Sequence, residues 1–310
     1  MKIILTGGLG HIGSSLLHKL PNLMDVSEIV IIDSLATQRY HSLFELPNKT
    51  KYTFIQNDIR TLSLANIAKC ENATMLIHLA AINDISSGTL NYADIENNNL
   101  GATNAAISLC QRFDLPMIFP SSTSVYTSSG LNIIETQPLE VNSNIYSRCK
   151  AAEEDCVKNF FSVGGTGVIF RLGTIHGVSS GMRFHTAINK FCFQTAIGDP
   201  ISIWRSALNQ RRPYLSLIDL ANAINFVVTK DLFDNETYNI VTKNYSILEI
   251  LEIFSRVIGE DVKYIIEDNK RMNSLDLQVS NEKFALHGFV FQGDIESDIV
   301  DTLKKLGDLR

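Results

Sequence analysis

The chain is 310 residues long, 45% hydrophobic and 19% charged, with a formal charge of −6 and a pI near 5.7. That composition excludes a disordered polymer, is long enough for about two domains, and lacks the basic excess of a general nucleic-acid surface. No window approaches the about 18 consecutive apolar residues of a membrane span, and the first residues read as a strand rather than a secretion signal. The expectation is a cytoplasmic protein with neither a membrane nor a nucleic acid as partner.

Short apolar, β-branched runs recur at Lys2 to Thr6, Glu28 to Ile32, Tyr52 to Gln56, Met75 to Leu79, Met117 to Phe119 and Val168 to Phe170. Each is continuous, as a strand buried on both faces should be. Segments with helical spacing lie between most of them, including Ile12 to Leu20, Ala102 to Arg112 and Ile145 to Phe161. The alternation predicts an α/β fold of Rossmann type, a doubly wound parallel sheet over residues 1–172. After Gly173 the connections lengthen, and a strand-like Tyr238 to Val241 precedes a helical Ile247 to Ile258. Residues 173–310 are read mainly as a smaller substrate-binding domain, with part of 211–242 returning to the first. Cys70, Cys110, Cys149, Cys156 and Cys192 are odd in number and scattered, with no metal-ligand spacing. They are expected to be reduced, packed thiols, and no metal is expected.

Thr6-Gly7-Gly8-Leu9-Gly10-His11-Ile12-Gly13 joins the first strand to the first helix. Glycines there let backbone N–H groups and a helix N-terminus approach a pyrophosphate. Asp33 closes the second strand twenty residues after Gly13, where a carboxylate accepts from ribose hydroxyls and repels a 2′-phosphate. NAD is therefore expected rather than NADP, with Arg39 six positions further on as a second adenosine-side group.

Tyr146 and Lys150 are four apart in a helical segment, so they share a face. An isolated phenol, with a pKa of about 10, is a poor base at neutral pH, but a neighbouring ammonium stabilises the phenolate. Ser121, Ser122, Thr123 and Ser124 crowd the end of a strand, the edge where ligand chemistry gathers in parallel sheets.

Together these residues resemble the nucleotide-sugar epimerase/dehydratase branch of the extended short-chain dehydrogenase/reductase family. The likeness rests on Thr6 to Gly13, Asp58-Ile59-Arg60, His78-Leu79-Ala80-Ala81, Asn98 to Gly101, Ser121 to Tyr126 and Tyr146 to Lys150. It implies an NAD site formed by Gly7, Gly10, His11, Ile12, Gly13, Asp33, Asp58, Ile59, Leu79, Ala80, Ala81, Ser121, Tyr146 and Lys150. It also implies Ser122, Tyr146 and Lys150 as catalytic residues. Ser122, Thr123, Ser124, Tyr146, Thr174, Asn189 and Arg212 would meet a nucleotide-diphosphate sugar, Thr174 standing where the family often has Asn. Arg183, Arg205, His176, His185 and Trp204 are further candidates around the sugar nucleotide. A homodimer is usual in the family.

Dehydratases and decarboxylases of the branch typically carry Glu two positions after the catalytic Ser or Thr. Here that position is Ser124, which cannot act as a base at neutral pH. The expected reaction is epimerisation at C4 through a keto sugar. A nucleotide-keto-sugar reductase or a sulfoquinovose-synthase-like enzyme is the alternative, and a non-catalytic NAD sensor a third. The segment from Arg171 to Arg212 holds six basic residues against one acid, so the positive charge of an acidic chain gathers where a sugar diphosphate is expected.

Overall fold

The computed structural model describes residues 1–82, 92–126, 130–137, 145–268, 276–307 and 309. In chain order its first half contains β1 Lys2–Thr6, α1 His11–Leu23, β2 Glu28–Asp33, β3 Lys51–Gln56, α2 Leu64–Ala68, β4 Met75–His78, α3 Tyr92–Phe113, β5 Met117–Ser122, β6 Gly130–Ile133, α4 Ile145–Ser162 and β7 Gly167–Leu172. There follow β8 Thr174–His176, α5 Ala187–Ala196, β9 Ile201–Trp204, β10 Arg211–Ser216, α6 Leu217–Lys230, β11 Thr237–Ile240, β12 Lys243–Ser246, α7 Ile247–Ile258, β13 Tyr264–Glu267, β14 Leu277–Val279, α8 Glu282–Ala285 and α9 Ile295–Leu306.

Seven strands form one sheet in the order β11-β7-β5-β4-β1-β2-β3, every pair parallel. This is the Rossmann-type sheet that the β-branched runs predict. Alternation along the strands explains its two covers. Ile3, Leu5, Ile29 and Ile31 face Leu16, Leu17 and Leu20 of α1 with Leu220 and Ile224 of α6. Ile4, Val30, Ile32 and Leu76 face Ala106 and Leu109 of α3 with Val157 and Phe160 of α4. A period of two thus sends successive residues into opposite layers, and both layers exclude water.

The chain reverses direction across the sheet at β1, with β2 on one side and β4 on the other. In such sheets the crevice outside the carboxyl ends opens at that switch. Within 211–242, α6 packs on α1 and β11 extends the large sheet, whereas β10 pairs with β8 and β12 in a separate three-stranded sheet. A further core holds Ile188, Phe191, Phe254, Ile295 and Ile299 from α5, α7 and α9. Helix α7 matches its predicted limits because Ser246 and Glu249 close a reciprocal cap at its start and Gly259, at φ +75°, ends it. The five cysteines are free thiols. Among the described residues no helix is long and apolar enough to cross a membrane, and no cluster of potential metal ligands occurs.

Candidate active site

Strand β1 ends at Thr6, and the chain turns at Gly7 with φ +64°. A Cβ at Gly7 would lie 2.6 Å from the backbone of Leu79 and Ala80, so only glycine allows the turn and the close approach together. The Thr6 hydroxyl accepts from the Leu79 and Ala80 N–H groups at 3.2 and 3.3 Å, tying the loop to the end of β4. A second loop closes over this turn: Gly181 N–H donates to Ser14 Oγ at 2.8 Å, and a Cβ on Gly181 would sit 2.3 Å from the Leu9 carbonyl oxygen.

A cavity of about 710 Å³ opens at this point. Its wall includes Gly7, Gly10, His11, Ile12 and Gly13 of the loop, then Asp33, Asp58 and Ile59, then Leu79, Ala80 and Ala81. Ser121, Ser122, Tyr146, Lys150 and Thr174 complete the expected set, and Arg39, Arg183 and His185 line it too. Every residue expected to hold NAD therefore borders one space. A bare glycine turn, a helix start and a carboxylate at the end of β2 fit a dinucleotide.

Asp33 accepts from Leu9 N–H at 3.0 Å and Leu35 N–H at 2.9 Å, bracing the turns on both sides of its strand end. Asp58 is gripped by the Arg60 side chain and also accepts from Arg60 N–H. The hydrogen bonds from the guanidinium hold its carboxyl below the usual range. Ser122 lines the cavity, and its Oγ accepts from Ser124 N–H at 3.1 Å. Ser121 is turned inward and donates to Glu154 Oε1 at 2.6 Å.

Lys150 is buried, donating to Glu153 Oε2 at 2.9 Å and to the Pro120 carbonyl at 3.4 Å. Burial opposes its charge, but Glu153 and Tyr146 outweigh burial and raise its pKa. A fixed ammonium at this wall is suited to steadying a phenolate.

Thr123, Ser124, Asn189 and Arg212 do not border the cavity. Thr123 Oγ1 donates to the Leu172 carbonyl at 3.1 Å and is buried, which is an internal brace between β5 and β7. Ser124 Oγ is buried and, among the described residues, has no hydrogen-bond partner. Asn189 is fully buried on α5 and donates to the Arg183 carbonyl and to His11 Nε2. Arg212 lies on β10 with Nη2 3.4 Å from Gln210 Oε1.

The basic segment is also less free than its count implies. Arg171 is locked to Glu154, Arg205 to Asp268 and Arg211 to Glu249, all carboxylates from outside the segment. His176 is buried with Nδ1 2.7 Å from Asp298, away from the cavity wall, and Trp204 is partly exposed at the end of β9.

Two buried histidines flank the loop. His11 lies between Ser179 and Asn189, and its pKa is lowered to about 3 by burial and then by Arg183. His78 lies between Thr6 and Thr103, also lowered to about 3 by burial and then by Lys150. Both stay neutral in the fold but charge near pH 6.5 once unfolded, so below that value the unfolded chain binds more protons. Stability is expected to fall as pH drops from 6.5 toward 3, by roughly 2 kcal/mol per histidine at pH 5. Urea midpoints should therefore be lower at pH 5 than at pH 7; equal midpoints would contradict the buried neutral state.

The sequence model of the family described as "NAD dependent epimerase/dehydratase family" matches residues 3–241. UDP-glucose 4-epimerase of Bacillus subtilis (strain 168) is 24% identical over 305 residues, covering 87% of this chain and 86% of that one. The dTDP-D-glucose 4,6-dehydratase of Dictyostelium discoideum is 27% identical over 256 residues, covering 78% and 58%. Among solved structures, the UDP-N-acetylglucosamine 4-epimerase of Methanobrevibacter ruminantium M1, in complex with UDP-N-acetylmuramic acid, superposes with a TM-score of 0.84 at 23% identity over 98% of this chain and 97% of that one. The UDP-glucuronic acid 4-epimerase of Bacillus cereus, in complex with NAD, gives 0.84 at 21% over 99% and 96%. The family match runs from β1 through β11 and so takes in the whole large sheet; the chain belongs to the NAD-dependent epimerase/dehydratase family.

Proposed function

We propose that the protein epimerises a nucleotide-diphosphate sugar at C4, with Tyr146 as the acid/base, Lys150 as its charge partner and Ser122 as a hydroxyl contact to the sugar. Bound NAD would supply a reversible hydride acceptor for the substrate carbon. Tyr146 takes the proton of the sugar 4-hydroxyl as the carbon is oxidised, and gives it back when the keto sugar is reduced on its other face. Lys150 keeps a positive charge beside the phenol throughout. Gly7 to Gly13 and Asp33 are the residues suited to holding the dinucleotide, through backbone N–H groups and a carboxylate.

One observation carries the choice of reaction. The carboxylates lining the cavity among the described residues are Asp33 and Asp58, and both belong to the adenosine side, where the first braces two backbone turns and the second holds Arg60. Among the described residues no carboxylate accompanies Ser122 and Tyr146 in that wall, which disfavours a dehydratase needing a second base at C5.

Incubating the purified protein with UDP-, dTDP-, GDP- and CDP-sugars and following the products by NMR tests this. The expected product is the C4 epimer with no net change in NAD. A 6-deoxy keto product would replace the reading with a dehydratase, and stoichiometric consumption of reduced cofactor with a reductase.

A further inference from the structure

Helix α4 carries a carboxylate that the proposed reaction does not use. Glu153 is completely buried and does not border the cavity. Its Oε2 accepts from Lys150 Nζ at 2.9 Å and from Thr103 Oγ1 at 3.2 Å. Its Oε1 is buried and, among the described residues, has no hydrogen-bond partner.

The directions of the neighbouring hydrogen bonds follow from proton counting. Thr103 has one hydroxyl proton, given to Glu153, so its 3.3 Å contact with His78 Nε2 requires that nitrogen to donate. His78 Nδ1 then accepts, and the Thr6 hydroxyl supplies the proton at 2.8 Å. Thr6 in turn accepts from Leu79 and Ala80 N–H. The whole row therefore points one way, from the backbone at the cavity wall through Thr6, His78 and Thr103 to the Glu153 carboxylate. Aligned donors of this kind polarise one another, and the row ends on the same oxygen that accepts from Lys150 Nζ.

We propose that Glu153 is a positioning residue of the acid/base pair, a buried anion that fixes the Lys150 ammonium behind the cavity wall and sets the net charge that Tyr146 meets. The proposal rests on the reading of Tyr146 and Lys150 as that pair. The other titratable groups around it are Cys149 and Cys156 on α4, Glu96 on α3, His78 on β4, and the Glu154–Arg171 pair beyond Ser121. Both thiols are held up by burial and further by neighbouring carboxylates, and His78 is neutral. Lys150 is thus the cation that Glu153 holds, and Tyr146 is the phenol that shares the cavity wall with it.

The sign follows from charge. With Glu153 ionised, the first proton lost by the Tyr146/Lys150 pair leaves a net negative cluster; with a neutral residue there, it leaves a neutral one. Glu153→Gln keeps the shape and the acceptor, so the pair should lose its first proton at lower pH, by about one pH unit or more. The measurement is an ultraviolet phenolate titration of the protein with NAD added, each variant corrected by its Tyr146→Phe counterpart, together with the pH dependence of turnover. Glu153→Asp keeps the charge but withdraws it by one methylene, and should move the midpoint in the same direction by less; it also serves if the Gln variant does not fold. An unchanged midpoint in a folded variant, with only the melting temperature lowered, would overturn the proposal and leave the acid/base reading intact. Wild-type turnover in Tyr146→Phe would remove both.

Discussion

Replacing Tyr146 with phenylalanine is expected to reduce turnover by about a hundredfold to ten-thousandfold, the range of a lost general acid/base, while NAD binding survives. Tyr146 sits in the first turn of α4 and lines the cavity, so phenylalanine preserves the ring and removes only the hydroxyl. Besides Tyr146, Lys150 and Ser121, the residues expected to hold the dinucleotide lie on the turn after β1, the start of α1 and the ends of β2, β3 and β4, and are untouched. Lys150 keeps its bonds to Glu153 and Pro120. Measuring kcat on whichever nucleotide sugar the NMR assay turns over, beside calorimetric titration with NAD, separates the two effects. Turnover close to that of the unaltered protein would end the role assigned to Tyr146. Parallel loss of NAD binding would instead mark a binding contribution of the hydroxyl.

Arg171→Met is expected to lower folding stability by about 3–5 kcal/mol, because it leaves a buried carboxylate with only the more exposed Lys158, at 3.2 Å, as its charge partner. Arg171 Nε and Nη2 grip Glu154 at 2.9 and 2.8 Å, and Nη1 donates to the Tyr126 hydroxyl at 3.0 Å and the Glu135 carbonyl at 2.9 Å. Burial alone would raise the Glu154 pKa; the Arg171 bonds outweigh burial and hold it low. The same carboxylate receives Ser121 from the cavity wall, so the damage reaches the site through β5 as well as α4. Denaturant unfolding of Arg171→Met and of Arg171→Met combined with Glu154→Leu provides the check. The double variant should recover part of the loss, since no buried carboxylate then remains and the Lys158 charge that is released is partly exposed. A single variant within about 1 kcal/mol of the unaltered protein would show that the pair is not structural.

The large sheet is legible because its inner strands, such as β1, β4 and β7, are buried along their length and leave nearly continuous apolar runs. Helix α3 was less so: its predicted start at Ala102 falls ten residues after the observed Tyr92, because the first turns are polar and asparagine-rich and carry no apolar stripe. The β8, β10 and β12 sheet escaped sequence reading because strands such as Lys243–Ser246 are polar and pair only through partners distant in sequence. In the site, glycine spacing and the Tyr146/Lys150 interval identified the cavity wall, since those signals are local. Exposure is not local, and sequence alone could not separate Ser122, on the wall, from Thr123, whose hydroxyl is spent on Leu172. Glu153 and Thr103 went unread for the same reason: a charged residue within a polar helix looks solvated until the opposing helix covers it. Arg171 was counted toward a ligand-attracting field, although its charge is consumed inside the fold.

The loop that crosses the glycine turn ties the C-terminal half of the chain to the start of α1. Gly181 rests on Leu9 and Gly10, its N–H is held by Ser14, and Ser179 bonds His11. Residues from the C-terminal half are therefore part of the rim against which α1 begins. A ligand that binds the folded rim adds about 2.7 kcal/mol when present at a hundredfold over its Kd, and this joint shares that gain with both halves of the chain. The halves are expected to melt as one transition that moves upward with added NAD, rather than as a stabilised sheet beside an unaffected C-terminal lobe.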